Sequence, residues 1–340
     1  NALSGGTQAA NTYAAARYKG IRGNDIKIAV EEQVDNTYTV TTLIDSEIVD
    51  TQNVASASVL KDNEYVTFKK DSTLSETSGL ALTGGADGTE TGTTHENFIN
   101  TVEPIYTNVI VCTSLDSTTK LLYSTAARSF TENTGNKALW VIFNCAADYP
   151  SVYNITCEMI AVVDGTGING LVYWFGGKLS NAYYNYNLCN KLYDGELTVS
   201  SSFTQSQLKD AITSGKIVLH KVGDDFVIMD EVTSYVSYTE DLSKDFHNGQ
   251  HVRIVFGVSI MQGNEFNTHH LAVTPNNENG KAVLWTAMTN VLNNFVKDNA
   301  LQYDTEDVTV EEVDRESVVL KEAYKTVVAM KKLYIQEIVN

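Results

Sequence analysis

The chain has 340 residues, 43% hydrophobic and 19% charged, a balance of globular rather than disordered proteins with room for two or three domains. Its 42 acidic residues outnumber 24 basic ones, and the net charge of −18 disfavours nonspecific binding to nucleic acid or anionic membranes. No apolar run approaches the roughly eighteen residues of a membrane span, and no signal peptide is visible.

Three prolines with abundant Thr, Val and Tyr lean toward β-rich structure. The first residue is Asn1 rather than Met, so a preceding segment is expected. Residues 23–70 read as a β-meander in which "DIKIAV", "TYTVTTLI", "SEIVDTQNV" and "EYVTFKK" alternate or break at Asn and Asp. The stretch "GLALTGGADGTETGTTHENFIN" (79–100) follows. Its Gly84, Gly85, Gly88 and Gly92 fit neither GxxxxGK[ST] nor GxGxxG, and Asp87 and Glu90 would repel phosphate, so a tight turn is expected. A helix should start near Thr93 or Thr94, with Glu96 in its first turn.

From about 94 to 222 helices alternate with apolar strands. "NVIVCTS" (108–114), "ALWVIFN" (138–144) and, after a short connection, "EMIAVVD" (158–164) read as buried strands. "STTKLLYSTAARSFTEN" (117–133) reads as a helix with Leu121, Leu122, Thr125 and Phe130 near one face. Another helix is expected through 168–182, where the pair Gly176–Gly177 suggests close backbone approach. Continuous apolar strands separated by helices imply a parallel sheet covered on both faces. Thr204 should cap "QSQLKDAITS", Gly215 should close it, and "KIVLHK" and "FVIMDEV" flank "VGDD" as a hairpin. In the last third, 245–266 and 279–300 read as helices around a loop containing Pro275. They precede "DVTVEEVD" and a long strand-like run over 324–339.

Candidate chemistry is sparse. His247 and His251 have metal-site spacing without the glutamate of HExxH, and the adjacent His269 and His270 read as surface residues. Asp87, His95 and a serine could be arranged as a triad, although no GxSxG occurs. Glu306, Asp307, Glu311, Glu312 and Asp314 lack EF-hand spacing and read as a solvated face. Lys69–Lys70 and Lys331–Lys332 are isolated pairs without interleaved aromatics. Cys112, Cys145, Cys157 and Cys189 show no CxxC spacing and read as reduced core residues.

Several stretches combine into one recognisable order: "YKGIRGNDIKIAV" (18–30), "LALTGGADGT" (80–89), "YWFGGKLSNAYYNYNL" (173–188), "LYDGE" (192–196), "SGKIVLHKVGDDFVIMDEVTS" (214–234), "NGKAVLWTAMTNVLNNF" (279–295) and "VVAMKKLYIQEIV" (327–339). Together they resemble contractile phage tail sheath proteins over nearly the whole chain from about residue 14. The resemblance implies an α+β multidomain protein. Its parts would be the end of a β-sandwich domain (1–90), a subtilisin-like α/β domain without protease activity (91–225) and a C-terminal α+β domain (226–340) ending in a strand-donating arm. It further implies hexameric rings of subunits stacked helically around a tail tube protein, contacts with baseplate and tail terminator proteins, and contraction that drives the tube through an envelope. No cofactor, nucleic acid or membrane insertion is implied, and the place would be the virion tail, assembled in the host bacterial cytoplasm. The family usually carries a long segment before its GxRGNDI motif, where this chain has about seventeen residues; as a fragment it would lack one arm and remain monomeric.

Within the arm, alternation puts Leu333, Ile335 and Glu337 on one face and Tyr334, Gln336 and Ile338 on the other, with Val339 completing the strand. Such a strand could be donated to a neighbour or could be an ordinary edge of its own domain, because periodicity cannot say which chain supplies the partner. Two other readings stay open at this level, a subtilisin-like or esterase-like hydrolase and a β-rich adhesin or capsid-type module.

Overall fold

The computed structural model describes residues 5–160 and 167–336. The chain divides into two compact units, residues 1–97 and 98–340. The first is built from two antiparallel sheets. Strands β1 (Gln8–Ala10) and β2 (Ala14–Lys19) lie in one, and β3 (Ile26–Glu32), β4 (Tyr38–Ile44) and β5 (Glu47–Val54) form the expected meander in the other. The tight β4–β5 turn places Asp45 and Ser46 at positive φ (49° and 80°), the conformation that joins strands with their natural twist. β6 (Val66–Phe68) corrects the reading of a single meander, because it crosses to pair with β2, while β7 (Thr77–Ala81) takes the place beside β3. Ile28, Val30 and Val40 meet Ala14, Ala16, Val66 and Phe68 in one buried core.

Two stretches singled out in the sequence meet in this unit. Asn24 donates to the Gly85 carbonyl and accepts the Gly85 amide, both at 2.9 Å, and the Ala86 amide donates to the Thr7 carbonyl. Asp87 accepts the Ile21 amide at 2.9 Å. The glycine-rich loop therefore spends these two amides on its own fold, as a turn does, and has neither to offer an anion. Helix α1 (Gly92–Val102) starts earlier than expected. Its cap is Thr91, whose hydroxyl accepts the Thr94 amide, and not Thr93 or Thr94.

The second unit is organised by a four-stranded parallel sheet. β8 (Val109–Cys112), α2 (Ser117–Ser129), β9 (Leu139–Phe143) and β10 (Val152–Ile155) come first. β11 (Glu158–Ile160), α3 (Leu171–Ser180), β12 (Thr198–Ser200), α4 (Gln205–Thr213) and β13 (Lys216–Ile217) follow, and the sheet order is β13-β10-β9-β8. Alternate residues of β9 face opposite ways. Leu139, Val141 and Phe143 pack toward Leu171, Phe175 and Leu179 of α3, whereas Trp140 and Ile142 pack toward Ile99 of α1 and Tyr123, Ala126, Ala127 and Phe130 of α2 or its end. Both faces are covered, as continuous apolar strands require.

The sequence reading is corrected at three points here. β10 occupies what read as a connection, since "VYNI" is too short to show a period. β11 leaves the parallel sheet and pairs antiparallel with β12, and residues 161–164 of the expected strand lie outside the described residues. On α2 the buried positions are Thr119, Tyr123, Ala126 and Ala127, while Leu121 stands 65% exposed. Small Ala residues allow close packing on Trp140, which an apolarity count undervalues. Gly176 behaves as expected, because a Cβ there would stand 2.6 Å from the Val111 side chain. Gly177 has open space.

Thr204 caps α4 with a reciprocal Gln207 box. The hairpin pairs β14 (Leu219–Val222) with β15 (Asp225–Ile228). Helices α5 (Gly249–Glu265) and α6 (Glu278–Lys297) flank the Pro275 loop. Ile254 and Val258 of α5 meet Leu292 and Phe295 of α6 in a core closed by Leu301 and Val308. That closure comes from β16 (Leu301–Gln302) and β17 (Val308–Glu312). β18 (Val318–Glu322) pairs with β17, and β19 (Lys325–Thr326) pairs with β16.

Candidate subunit interface

Over its described residues, 324–336, the run is not the long strand that its alternation suggests. Among the described residues strand pairing stops at Thr326, and residues 327–336 carry no regular secondary structure. Among its described residues the segment is tied down at its root. The Val327 amide donates to the Ala300 carbonyl at 2.7 Å, and the Ala329 amide donates to Gln250 Oε1 at 3.0 Å. One residue earlier, the Thr326 hydroxyl lies 2.8 Å from His251 Nδ1. Lys331 Nζ reaches Asp230 Oδ1 at 2.6 Å. Residues 332–336 are then all exposed, with Leu333 at 83%, Tyr334 at 87% and Ile335 at 73%.

An apolar side chain left in water forgoes roughly 1.5–3 kcal/mol that burial would give. Leu333, Tyr334 and Ile335 forgo that gain, and among the described residues the backbone of 332–336 joins no strand. Gln336 continues the exposed run, and Glu337, Ile338 and Val339 lie outside the described residues.

The anchors are themselves fixed by a buried knot that sequence reading missed. Glu231 is fully buried and Arg253 nearly so. Arg253 Nε meets Glu231 Oε1 at 2.9 Å and its Nη2 meets Oε2 at 3.1 Å, a bidentate pair. The remaining guanidinium donors reach the carbonyls of Ala182, Tyr183 and Tyr186, and the Leu188 amide donates to Glu231 Oε2. The pair thus stitches the aromatic stretch 182–188 to the start of α5. Gly249 is required there, since a Cβ would stand 2.7 Å from Tyr153 and 2.8 Å from Glu231. Burial and the adjacent Glu231 carboxylate push the Tyr153 hydroxyl well above its ordinary pKa, and burial takes Tyr324 up to about 12.

The other candidates disperse. His247 lies between the carbonyls of Tyr235 and Ile212, and His251 turns to Thr326. His270 corrects the surface reading of its pair. It is only 7% exposed, with Nδ1 2.9 Å from the Thr274 hydroxyl, while both His269 and His270 approach Glu265. Asp87 serves the Ile21 amide, and His95 lies 3.3 Å from Glu90. The acidic residues Glu306, Asp307, Glu311, Glu312 and Asp314 are all exposed, with Glu311 paired to Lys321 and Asp314 accepting the Glu316 amide. Burial pushes the Cys145 and Cys189 thiols up, away from thiolate chemistry.

The architecture is that of a mixed α+β protein with a β-sandwich-like unit. Comparison with known proteins gives the family. The model described as the phage tail sheath protein beta-sandwich domain matches residues 4–87, and the phage tail sheath protein central domain matches residues 88–234. The chain belongs to the phage tail sheath protein family. Two curated relatives from Bacillus subtilis (strain 168) match over 271 residues, 72% of this chain. They are the uncharacterized protein YqbK at 28% identity and the phage-like element PBSX protein XkdK at 26%. The chain spans 58% of the length of each. Among solved structures, the sheath tail protein DSY3957 from Desulfitobacterium hafniense shares the fold with a TM-score of 0.76 at 24% identity, over 95% of this chain and 82% of that one. Lin1278 from Listeria innocua, also a sheath tail protein, gives 0.69 at 25% identity over 95% and 81%. A chain of the anti-feeding prophage baseplate gives 0.58 at 12% identity, over 75% and 76%.

Proposed function

We propose that the chain is a tail sheath subunit that polymerises with its own kind as hexameric rings stacked helically around a tail tube protein, and that contraction of this lattice drives the tube through a target envelope. Its further partners are the baseplate and tail terminator proteins, and its place is the virion tail after assembly in the host bacterial cytoplasm. Energy for the stroke resides in the extended lattice as a metastable packing, so the cycle needs no cofactor. The central part is read as subtilisin-like, a reading favoured by its parallel sheet between helical layers. The three-part division at about residues 90 and 225 belongs to the same proposal.

One observation carries the assembly reading: the exposed, unpaired run at Leu333, Tyr334, Ile335 and Gln336. We read it, with Glu337, Ile338 and Val339, as a strand donated to the sheet of a neighbouring subunit. The added strand would satisfy its main-chain groups and bury its apolar residues while each subunit rotates as a rigid body. Electron microscopy of the full-length product, alone and with its tube protein, tests this. Hollow striated cylinders that disappear when residues 327–340 are deleted are the expected result. Persistent monomers from an intact chain would overturn it and return attention to the hydrolase and adhesin readings.

A further inference from the structure

The arm does not leave the subunit where its last strand ends. Thr326 is held by His251 and Ala329 by Gln250, both in the first turn of α5, yet these contacts would let the chain swing immediately afterwards. Lys331 adds an anchor of another kind. Its ammonium meets Asp230 at 2.6 Å, with both side chains about four-fifths shielded (20% and 22% exposed).

Asp230 cannot follow a moving arm. Its neighbours are pinned on either side. The Met229 amide donates to the Val218 carbonyl, the Gly249 amide donates to the Glu231 carbonyl, and Glu231 is clamped by Arg253. Gln250 is equally fixed, since it is fully buried and its amide nitrogen donates to the Tyr184 carbonyl at 3.0 Å. The residue after the ion pair, Lys332, is exposed, and so is every described residue beyond it.

Building on the donated-strand reading, we propose that Asp230 and Lys331 form an electrostatic latch that sets the point and direction from which the arm departs. Asp230 is then a positioning residue for strand donation. The latch carries residues 327–331 as part of the rigid subunit and lets the arm pivot from Lys332 onward. A donor strand starting from a defined point spends less of its docking free energy on ordering than one starting from a loose tether. The ion pair is also a contact that rising salt loosens, which hydrogen bonds alone would not be.

Limited trypsin digestion of the full-length chain, with cut sites mapped by mass, tests the latch before any assembly occurs. In the native chain cleavage after Lys332 should outpace cleavage after Lys331, which the ion pair shields. Asp230→Asn should raise cutting after Lys331 about fivefold, the scale of a partly shielded ion pair, and 1 M salt should do the same to the native chain. Asp230→Glu should restore most of the protection. Unchanged thermal unfolding of Asp230→Asn would show that the subunit itself is intact. In assembly, Asp230→Asn should raise the protein concentration at which cylinders form, and the exchange Asp230→Lys/Lys331→Asp should lower it again. Equal cleavage in native and Asp230→Asn chains overturns the latch even if the native chain forms cylinders. A shift in cleavage without any cylinders from the native chain overturns strand donation and leaves the ion pair as a contact within the subunit.

Discussion

β9 and the arm are written in the same alphabet. "LWVIF" at 139–143 and "LYIQ" at 333–336 are both apolar and aromatic runs suited to extended backbone, yet the first is buried on both faces and the second stands in water. β9 has a strand on each side and a helical layer on each face, so its backbone pairs and its apolar side chains are buried inside the chain. The arm has an anchored root, and its described residues 332–336 are exposed. The difference teaches that a strand-forming sequence states what it needs, while the fold decides whether the same chain supplies it.

The sharpest way to break that contrast is to attack the knot beneath the anchors. Arg253→Met should cost about 3–5 kcal/mol in chemical denaturation, because Glu231 is left as a buried, uncompensated carboxylate. Adding Glu231→Gln should recover much of the loss, and a double variant no more stable than the single would refute the ion-pair account. Next comes packing against the sheet. Gly176→Ala should destabilise by about 1–3 kcal/mol, because its Cβ would press on Val111 at 2.6 Å. A neutral substitution would mean that α3 shifts freely on β8.

A smaller effect is expected from pH at the arm's root. Burial holds the His251 imidazole below its ordinary pKa, with Asp245 partly opposing it. The unfolded chain therefore takes the proton first, so this contribution to stability is complete above about pH 6.5. It is lost as pH falls toward the lowered folded-state value. Thermal unfolding at about pH 7.5 and pH 5.5 should show a shallower acid dependence in His251→Asn than in the native chain. Parallel slopes would remove His251 from the explanation.

The smallest effect on folding should come from the arm itself. Leu333→Ser/Tyr334→Ser/Ile335→Ser should leave monomer stability within about 0.5 kcal/mol, as exposed positions do. Cylinder formation should nevertheless be abolished. A large loss of monomer stability would show that these residues pack within their own subunit.

Much of this was legible from residues alone. The β-rich first unit, the two-faced central sheet, the close approach at Gly176, the Thr204 cap and the paired helices after residue 245 follow from period, caps and turns. So does the glycine loop, which fits neither phosphate motif and carries Asp87 and Glu90, and whose Gly85 and Ala86 amides go to Asn24 and Thr7. Short or two-way signals misled. "VYNI" was too brief to show its place at the centre of the sheet, β6 could have joined either sheet, and the apolar Leu121 outweighed the small residues that α2 buries. His270 read as exposed because adjacency on a helix says nothing of what packs on that helix.

Local sequence determined where backbone turns, which segments extend or coil, and which residues seek burial, since those depend on neighbours a few positions away. Only the tertiary structure decided that Glu231 and Arg253 meet, that Asp230 catches Lys331, and that Leu333, Tyr334 and Ile335 stay in water. The two ion pairs join positions far apart in the chain, and the exposure depends on what the rest of the fold covers, and no local periodicity encodes either.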